Sequence, residues 1–326
     1  MAELNLVEAV NHALAWEMAH DPSVVLLGED VGANGGVFRA SLGLQQRFGA
    51  ERVLDTPLAE AGIAGVAVGM AAAGLKPVAE IQFAGFAYPC LDQMFNHAAR
   101  LRFRSRGRLA CPMVLRTPSG AGIHAPEHHS ESPEALFVHM PGLRVVMASS
   151  PARAYGLLLA AIRDPDPVVF FEPTRLYRLF KQEVADDGEA LPLDVCFVLR
   201  EGRDLTFVSW GAMLQETLAA AEALGAQGVS AEVIDVATLK PLDMATILAS
   251  VAKTGRCVIV HEAPRTLGVG AEIAANLAEH GLLTLLAPVR RVTGYDVVVP
   301  LPRLEGHYLP SVARIVAAAR EVLDFA

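Results

Sequence analysis

The chain has 326 residues, more than one ordinary core supports, and its length suits two medium α/β domains. Its composition, 52% hydrophobic and 19% charged, is that of a well-buried protein, and aromatics at only 6% disfavour an all-β sandwich. A formal charge of −9 argues against general affinity for nucleic acid or anionic membrane, and the longest apolar run, residues 61–75, is shorter than the roughly 18–20 residues of a membrane span.

In chain order, residues 4–19 read as an amphipathic helix and 24–28 as a short apolar strand ending in Gly28-Glu29-Asp30. A glycine-rich loop covers 32–36, and Thr56-Pro57 offers an N-cap and a first-turn proline for a helix to about Ala73. Strands follow at 78–83, 113–116, 144–147 and 168–171, with helices at 91–103 and 152–162. Apolar strands separated by helices indicate a parallel sheet covered on both faces. An acidic stretch containing Pro and Gly, 181–193, reads as a linker. A second alternation predicts strands at 205–210, 231–236, 257–261 and 282–286, and helices to Leu224 and at 242–251, 271–279 and 311–323. The expectation is two doubly wound α/β domains with mainly parallel sheets, residues 1–185 and 195–326.

Cys90, Cys111, Cys196 and Cys257 form no C-x-x-C pair, which suits buried thiols in a reducing cytoplasm. Met1-Ala2-Glu3 leads straight into an amphipathic segment, so no signal or transit peptide is expected. The arginines at 100, 102, 104, 106 and 108 read as the cationic end of a helix and the loop behind it.

Four features invite a chemical reading. His124, Glu127 and His128 spell an inverted zinc-protease motif, but Pro126 inside it and Gly120 and Gly122 before it oppose the helix that zinc binding requires. Gly268-Val269-Gly270 resembles a dinucleotide loop, yet Ile273 replaces the third glycine, and a packed helix start reads better. Glu60 heads a helix whose Gly62, Ala64, Gly65, Ala67 and Gly69 would let another helix approach closely. A carboxyl buried there without a cation would hold a proton near neutrality, although a simple capping role is the blander reading. His128 and His129 lie in a Gly-, Pro- and Ser-rich loop after a strand, where an imidazole can act as acid or base, or merely sit at the surface.

Taken together, GEDVGANGGVFRA (28–40), RVLDTPLAEAGIAGVAVGMA (52–71), PVAEIQFAGFAYPCLDQ (77–93), HHSESPEALFVHMPGLRVV (128–146) and AIRDPDPVVFFEPTRLYR (161–178) are informative. With AEVIDVATLKPLD (231–243) and SVAKTGRCVIVHEAP (250–264), they resemble the β subunit of the decarboxylating component of 2-oxo acid dehydrogenase complexes. The resemblance implies a transketolase-like pyrimidine-binding domain and a C-terminal domain for subunit and core assembly. It also implies thiamine diphosphate shared with an α subunit. Glu60 would then hydrogen-bond the aminopyrimidine ring, with Leu58, Gln82 and Phe86 lining the pocket, and His129 would be the active-site histidine. Glu131 stands where many relatives carry Gln, a carboxylate able to orient or charge that imidazole. A structural potassium ion is implied at Met113, Ala161, Ile162, Asp164 and Asp166.

The resemblance also implies that diphosphate and Mg2+ are held through a G-D-G stretch followed further on by Asn-Asn. This chain has no G-D-G, so the resemblance places Mg2+ on a separate α subunit, in an α2β2 heterotetramer docked to a dihydrolipoyl acyltransferase core. EIQFA, FFEP and LYR resemble members acting on branched-chain 2-oxo acids, while Phe86 stands where those members often carry Tyr. Pyruvate dehydrogenase and acetoin dehydrogenase are the alternatives. A self-contained transketolase-like enzyme and a non-catalytic scaffold are rival readings of the same chain.

Overall fold

A computed structural model describes residues 1–325; Ala326, the last residue of the expected second domain, lies outside the described residues. Two compact units emerge, one formed by Met1–Ser119 and Leu136–Leu193, the other by Gly120–Ala135 and the chain from Asp194 onward.

In the first unit, parallel strands follow the order Arg144–Met147, Val168–Pro173, Val114–Ser119, Lys76–Glu80, Val24–Gly28, Val53–Asp55. Every residue of the strands 24–28, 114–119 and 168–173 is buried, the pattern of a sheet covered on both faces. The helix Leu6–His20 starts with a capping box. The Asn5 side chain accepts from Glu8 N at 3.0 Å, and Glu8 Oε2 accepts from Asn5 N at 2.9 Å. It packs on the helix Pro151–Arg163, which Ser150 caps.

Arg116, 1% exposed, ties three strands of this sheet together. Its guanidinium donates to Glu172 Oε1 and Oε2, each at 2.7 Å, and to Glu80 Oε2, while Tyr177 Oη donates to Glu172 Oε2 at 2.7 Å. The arrangement is bidentate and hydrogen-bonded throughout, as a buried cation requires.

The second unit has parallel strands in the order Arg290–Gly294, Cys257–Pro264, Leu205–Ser209, Ala231–Asp235, with Phe197–Arg200 antiparallel at the edge. Its helices include Met213–Gly225, Met244–Thr254, Val269–His280 and Val312–Leu323. The expected architecture, two α/β bodies with mainly parallel sheets, stands.

Several local expectations do not. Thr56-Pro57 opens no helix: Thr56 N donates to Gly28 O at 3.0 Å, prolonging the strand pairing, and the helix begins three residues later at Glu60. The single helix expected over 91–103 is broken into a π turn at Gln93–His97, a 3-10 turn at Ala98–Arg100 and a short helix at Leu101–Arg104. Residues 282–286 form no strand. Leu282–Thr284 is a 3-10 turn with Leu283 fully exposed, and the edge strand lies at Arg290–Gly294. Inside the expected linker, Gln182–Val184 pairs antiparallel with Ala2–Leu4. No helix among the described residues is long and apolar enough to cross a membrane.

Candidate active site

Parallel sheets present ligand sites at the carboxyl ends of their strands. In the first unit the strand Val24–Gly28 ends at Glu29 and Asp30, and Lys76–Glu80 runs on into Gln82. Glu60 is the first residue of its helix. Ala59 before it makes no side-chain cap, and the Glu60 carbonyl accepts from Cys90 Sγ at 3.2 Å. Burial, reinforced by the Glu60 charge, pushes the Cys90 thiol up to about 12, which leaves it an inert neutral group.

Glu60 has an acidic neighbour, Glu29, with which its charge interacts. Burial, then the charges of Asp30 and Glu60, raise the Glu29 carboxyl above its ordinary range. The available signal in the sequence was the Gly28-Glu29-Asp30 ending of an apolar strand.

The helix Glu60–Ala72 packs on the turn Ala84–Cys90, which carries Phe86. Phe86 meets Phe83 edge-on at 5.9 Å, Phe83 meets Phe38 at 5.4 Å, and Phe38 meets Tyr177 at 5.0 Å. This aromatic wall, with half-buried Gln82 preceding it, suits a flat heteroaromatic ring. Leu58 is 70% exposed, an apolar side chain without cover in the lone chain.

His129 belongs to the second unit, on the 3-10 turn Glu127–His129. Its ring lies 4.2 Å from that of His128. Burial and then His128 lower its pKa, against Glu127, so the imidazole is neutral at pH 7 and able to take a proton. The carboxylate acting on it is Glu127. Glu131, expected to orient or charge it, contributes to raising the Tyr308 phenol, behind burial and the charges of Glu262 and Glu134.

The inverted zinc motif is dismissed by geometry. His124 has φ +57°, only Glu127–His129 form a turn, and no cluster of three or more His, Cys, Asp or Glu able to hold a metal occurs among the described residues. Gly268 and Gly270 open the helix Val269–His280, where a Cβ would come within 2.7 and 2.8 Å of the buried His261 ring. They are packing glycines, as the helix-start reading expected.

At the suggested potassium site, Ala161 and Ile162 end the helix Pro151–Arg163 and Asp164 is its C-cap. Asp164 pairs with Arg144 at 3.0 Å and Asp166 with Arg102 at 2.6 Å, while Met113 O accepts from Val168 N at 2.9 Å. Both carboxylates are thus committed to arginines. What remains there are main-chain carbonyls at a helix end, a donor type that a large monovalent ion can use.

Residues 2–179 match the transketolase pyrimidine-binding domain family, and residues 196–315 match the transketolase C-terminal domain family. Curated proteins described as pyruvate dehydrogenase E1 component subunit beta, from Staphylococcus epidermidis and Bacillus subtilis, are each 47% identical over 325 residues, covering 100% of both chains. One from Staphylococcus aureus is 46% identical over the same length. A solved structure described as a split-gene transketolase, inactive β4 tetramer, superposes with a TM-score of 0.80 at 25% identity over 99% of each chain. The chain belongs to the thiamine-diphosphate-dependent 2-oxo acid dehydrogenase β-subunit family. In this β subunit the half-buried Glu60 heads the helix that packs on the turn carrying Phe86.

Proposed function

We propose that this β subunit serves the oxidative decarboxylation of pyruvate, with acetyl transfer to lipoamide on a dihydrolipoyl acyltransferase core. The observation carrying the reading is full-length similarity, at 46–47% identity, to proteins named as pyruvate dehydrogenase E1 β subunits. It favours pyruvate over the branched-chain acids that EIQFA, FFEP and LYR led us to expect.

Thiamine diphosphate, when bound, supplies the carbon nucleophile and the electron sink. Glu60 is assigned to share a proton with the pyrimidine ring, with Leu58, Gln82 and Phe86 around that ring. His129, neutral near pH 7, is assigned the acid–base work beside the reacting carbon. The diphosphate and Mg2+ fall to an α subunit in an α2β2 assembly, because this chain lacks G-D-G. Main-chain oxygens of Met113, Ala161 and Ile162, beside Asp164 and Asp166, are assigned to potassium. Val66, 53% exposed on the small-residue helix, supports an apposed partner there.

The test is to assemble the chain with an α subunit and compare turnover of pyruvate, 2-oxoisovalerate and acetoin. Pyruvate is expected to lead in kcat/KM by at least about ten-fold, equivalent to ~1.4 kcal/mol of transition-state discrimination. Inactivity on all three would overturn the reading. Glu60→Gln is expected to abolish decarboxylation while leaving assembly intact, whereas a scaffold would be indifferent to it.

A further inference from the structure

The loop carrying His129 has an unusual support. Gly120 N donates to Glu131 O at 2.9 Å, closing a compact loop with His129 near its far end. Its opening residues repeatedly take left-handed backbone, with φ +86° at Gly120, +94° at Gly122 and +57° at His124. For histidine that conformation costs about 1 kcal/mol, so something must hold it.

Two buried carboxylates of the same unit do so. Glu262, 8% exposed at the end of the strand Cys257–Pro264, accepts from Ala121 N at 3.1 Å. Glu305, 2% exposed, accepts from Gly122 N at 2.7 Å through Oε1 and from His124 N at 3.2 Å through Oε2. His124 Nδ1 lies 3.0 Å from the same Oε2. Gly120 has no room for a side chain, since a Cβ there would stand 2.6 Å from Glu262 Oε1. Tyr308, one helical turn beyond Glu305, packs with Ala121 and Val299 in an apolar cluster beneath the loop. Three consecutive-region amides thus point into an anion-binding concavity that the protein fills with its own carboxylates.

We propose that Glu262 and Glu305 are positioning residues that set the place of His129 by clamping the amides of Ala121, Gly122 and His124. The proposal rests on the assignment of His129 to the acid–base work. Stability alone would be served by neutral acceptors. A carboxylate is a stronger acceptor than a neutral oxygen, and two of them on the four residues Ala121–His124 fix the direction of that stretch as well as its presence. Downstream, His129 N donates to Pro126 O at 3.0 Å and Ser130 N to Glu127 O at 2.9 Å, which makes 126–130 one turn, and the Gly120 N–Glu131 O bond ties the end of that turn to the start of the clamped segment.

The test uses the assembled complex with an α subunit and pyruvate as substrate. Glu305→Ala is expected to lower kcat by about ten- to a hundred-fold, the cost of an ångström-scale misplacement, with KM changing little, and to move the pH–rate limb that His129→Ala removes. Glu305→Gln, which keeps one acceptor oxygen, is expected to recover part of the loss. His124→Ala removes only an exposed side-chain arm and should give a small change of the same kind, keeping the test valid if Glu305→Ala does not fold. Amide hydrogen exchange at 122 and 124 should accelerate in step with each loss. An unchanged kcat and pH profile in Glu305→Ala and Glu262→Gln, beside an inactive His129→Ala, would overturn the positioning role. A fully active His129→Ala complex would overturn it differently, by removing the assignment of His129 itself.

Discussion

His261 is fully buried in the second unit, stacked on Trp210 with ring centroids 5.0 Å apart and planes 15° from parallel. Burial, then the Arg291 charge, holds its pKa down to about 3 against an ordinary 6.5. Between those values the unfolded chain carries a proton the folded chain refuses, so stability falls as pH drops from 6.5 toward 3, by up to ~1.4 kcal/mol per pH unit. Glu134, whose Oε1 accepts from Trp210 Nε1 at 3.3 Å, works in the opposite sense. Burial raises it to about 8 from 4.5, so the folded state keeps the extra proton in that window and stability falls as pH rises through it. His261→Phe, which preserves the stack, is therefore expected to flatten the acid limb of a urea-denaturation pH series between pH 6.5 and 4. The limb above pH 6.5 should be unmoved. Equal acid slopes for both proteins would show that His261 does not titrate in this way. None of this was legible in the sequence, where His261 closes an apolar strand and its stacking partner Trp210 lies about 50 residues upstream.

The helix Val269–His280 begins against that same ring, which gives Gly268-Val269-Gly270 its meaning. A methyl on Gly270 would meet His261 Nε2 and Cδ2 at 2.8 Å. Gly270→Ala should therefore destabilise by about 1–3 kcal/mol through overpacking. In a His261→Ala background the cost should shrink to what the remaining 3.1 Å approach to Ile259 Cγ2 exacts, partly offset by the ordinary benefit of alanine in a helix, about 0.5–1 kcal/mol. A double-mutant cycle by chemical denaturation reads this coupling, and additive effects would refute the packing account. Elements driven by strong periodicity, such as Leu6–His20 and Val24–Gly28, were readable from local pattern because their apolar faces repeat within a few residues. Elements that depend on distant partners were not. The strand Arg290–Gly294 exists through its pairing with Cys257–Pro264, and the leucines at 282–286 imitate a strand while lying largely exposed. The candidate site residues divide the same way. Glu60 and His129 stood out through motif and resemblance, whereas Glu29 and the carboxylates of Glu262 and Glu305 gain significance only from the groups that folding sets beside them.

At the scale of the whole molecule, the helix Glu60–Ala72 is where the proposed site and the proposed assembly can be tested together. Its buried residues are Ile63, Ala64, Ala67 and Ala71, while Ala61, Gly62, Val66 and Gly69 remain exposed, so the chain covers one face and leaves the other open. A Cβ at Gly69 would meet nothing within 4 Å, which shows that this glycine is not needed by the chain's own packing. Glycine in a helix interior costs up to about 1 kcal/mol relative to alanine, so its presence is better explained by a second helix that approaches closely in the complex. Gly69→Leu is accordingly expected to leave the thermal unfolding of the isolated chain unchanged or raised. Association with the α subunit should weaken by at least about a hundred-fold, or ~2.7 kcal/mol. Sedimentation of the mixture, compared with calorimetry of the lone chain, separates the two effects. Full assembly with the variant would place the partner on another face of the β subunit and detach the small-residue helix from the shared site.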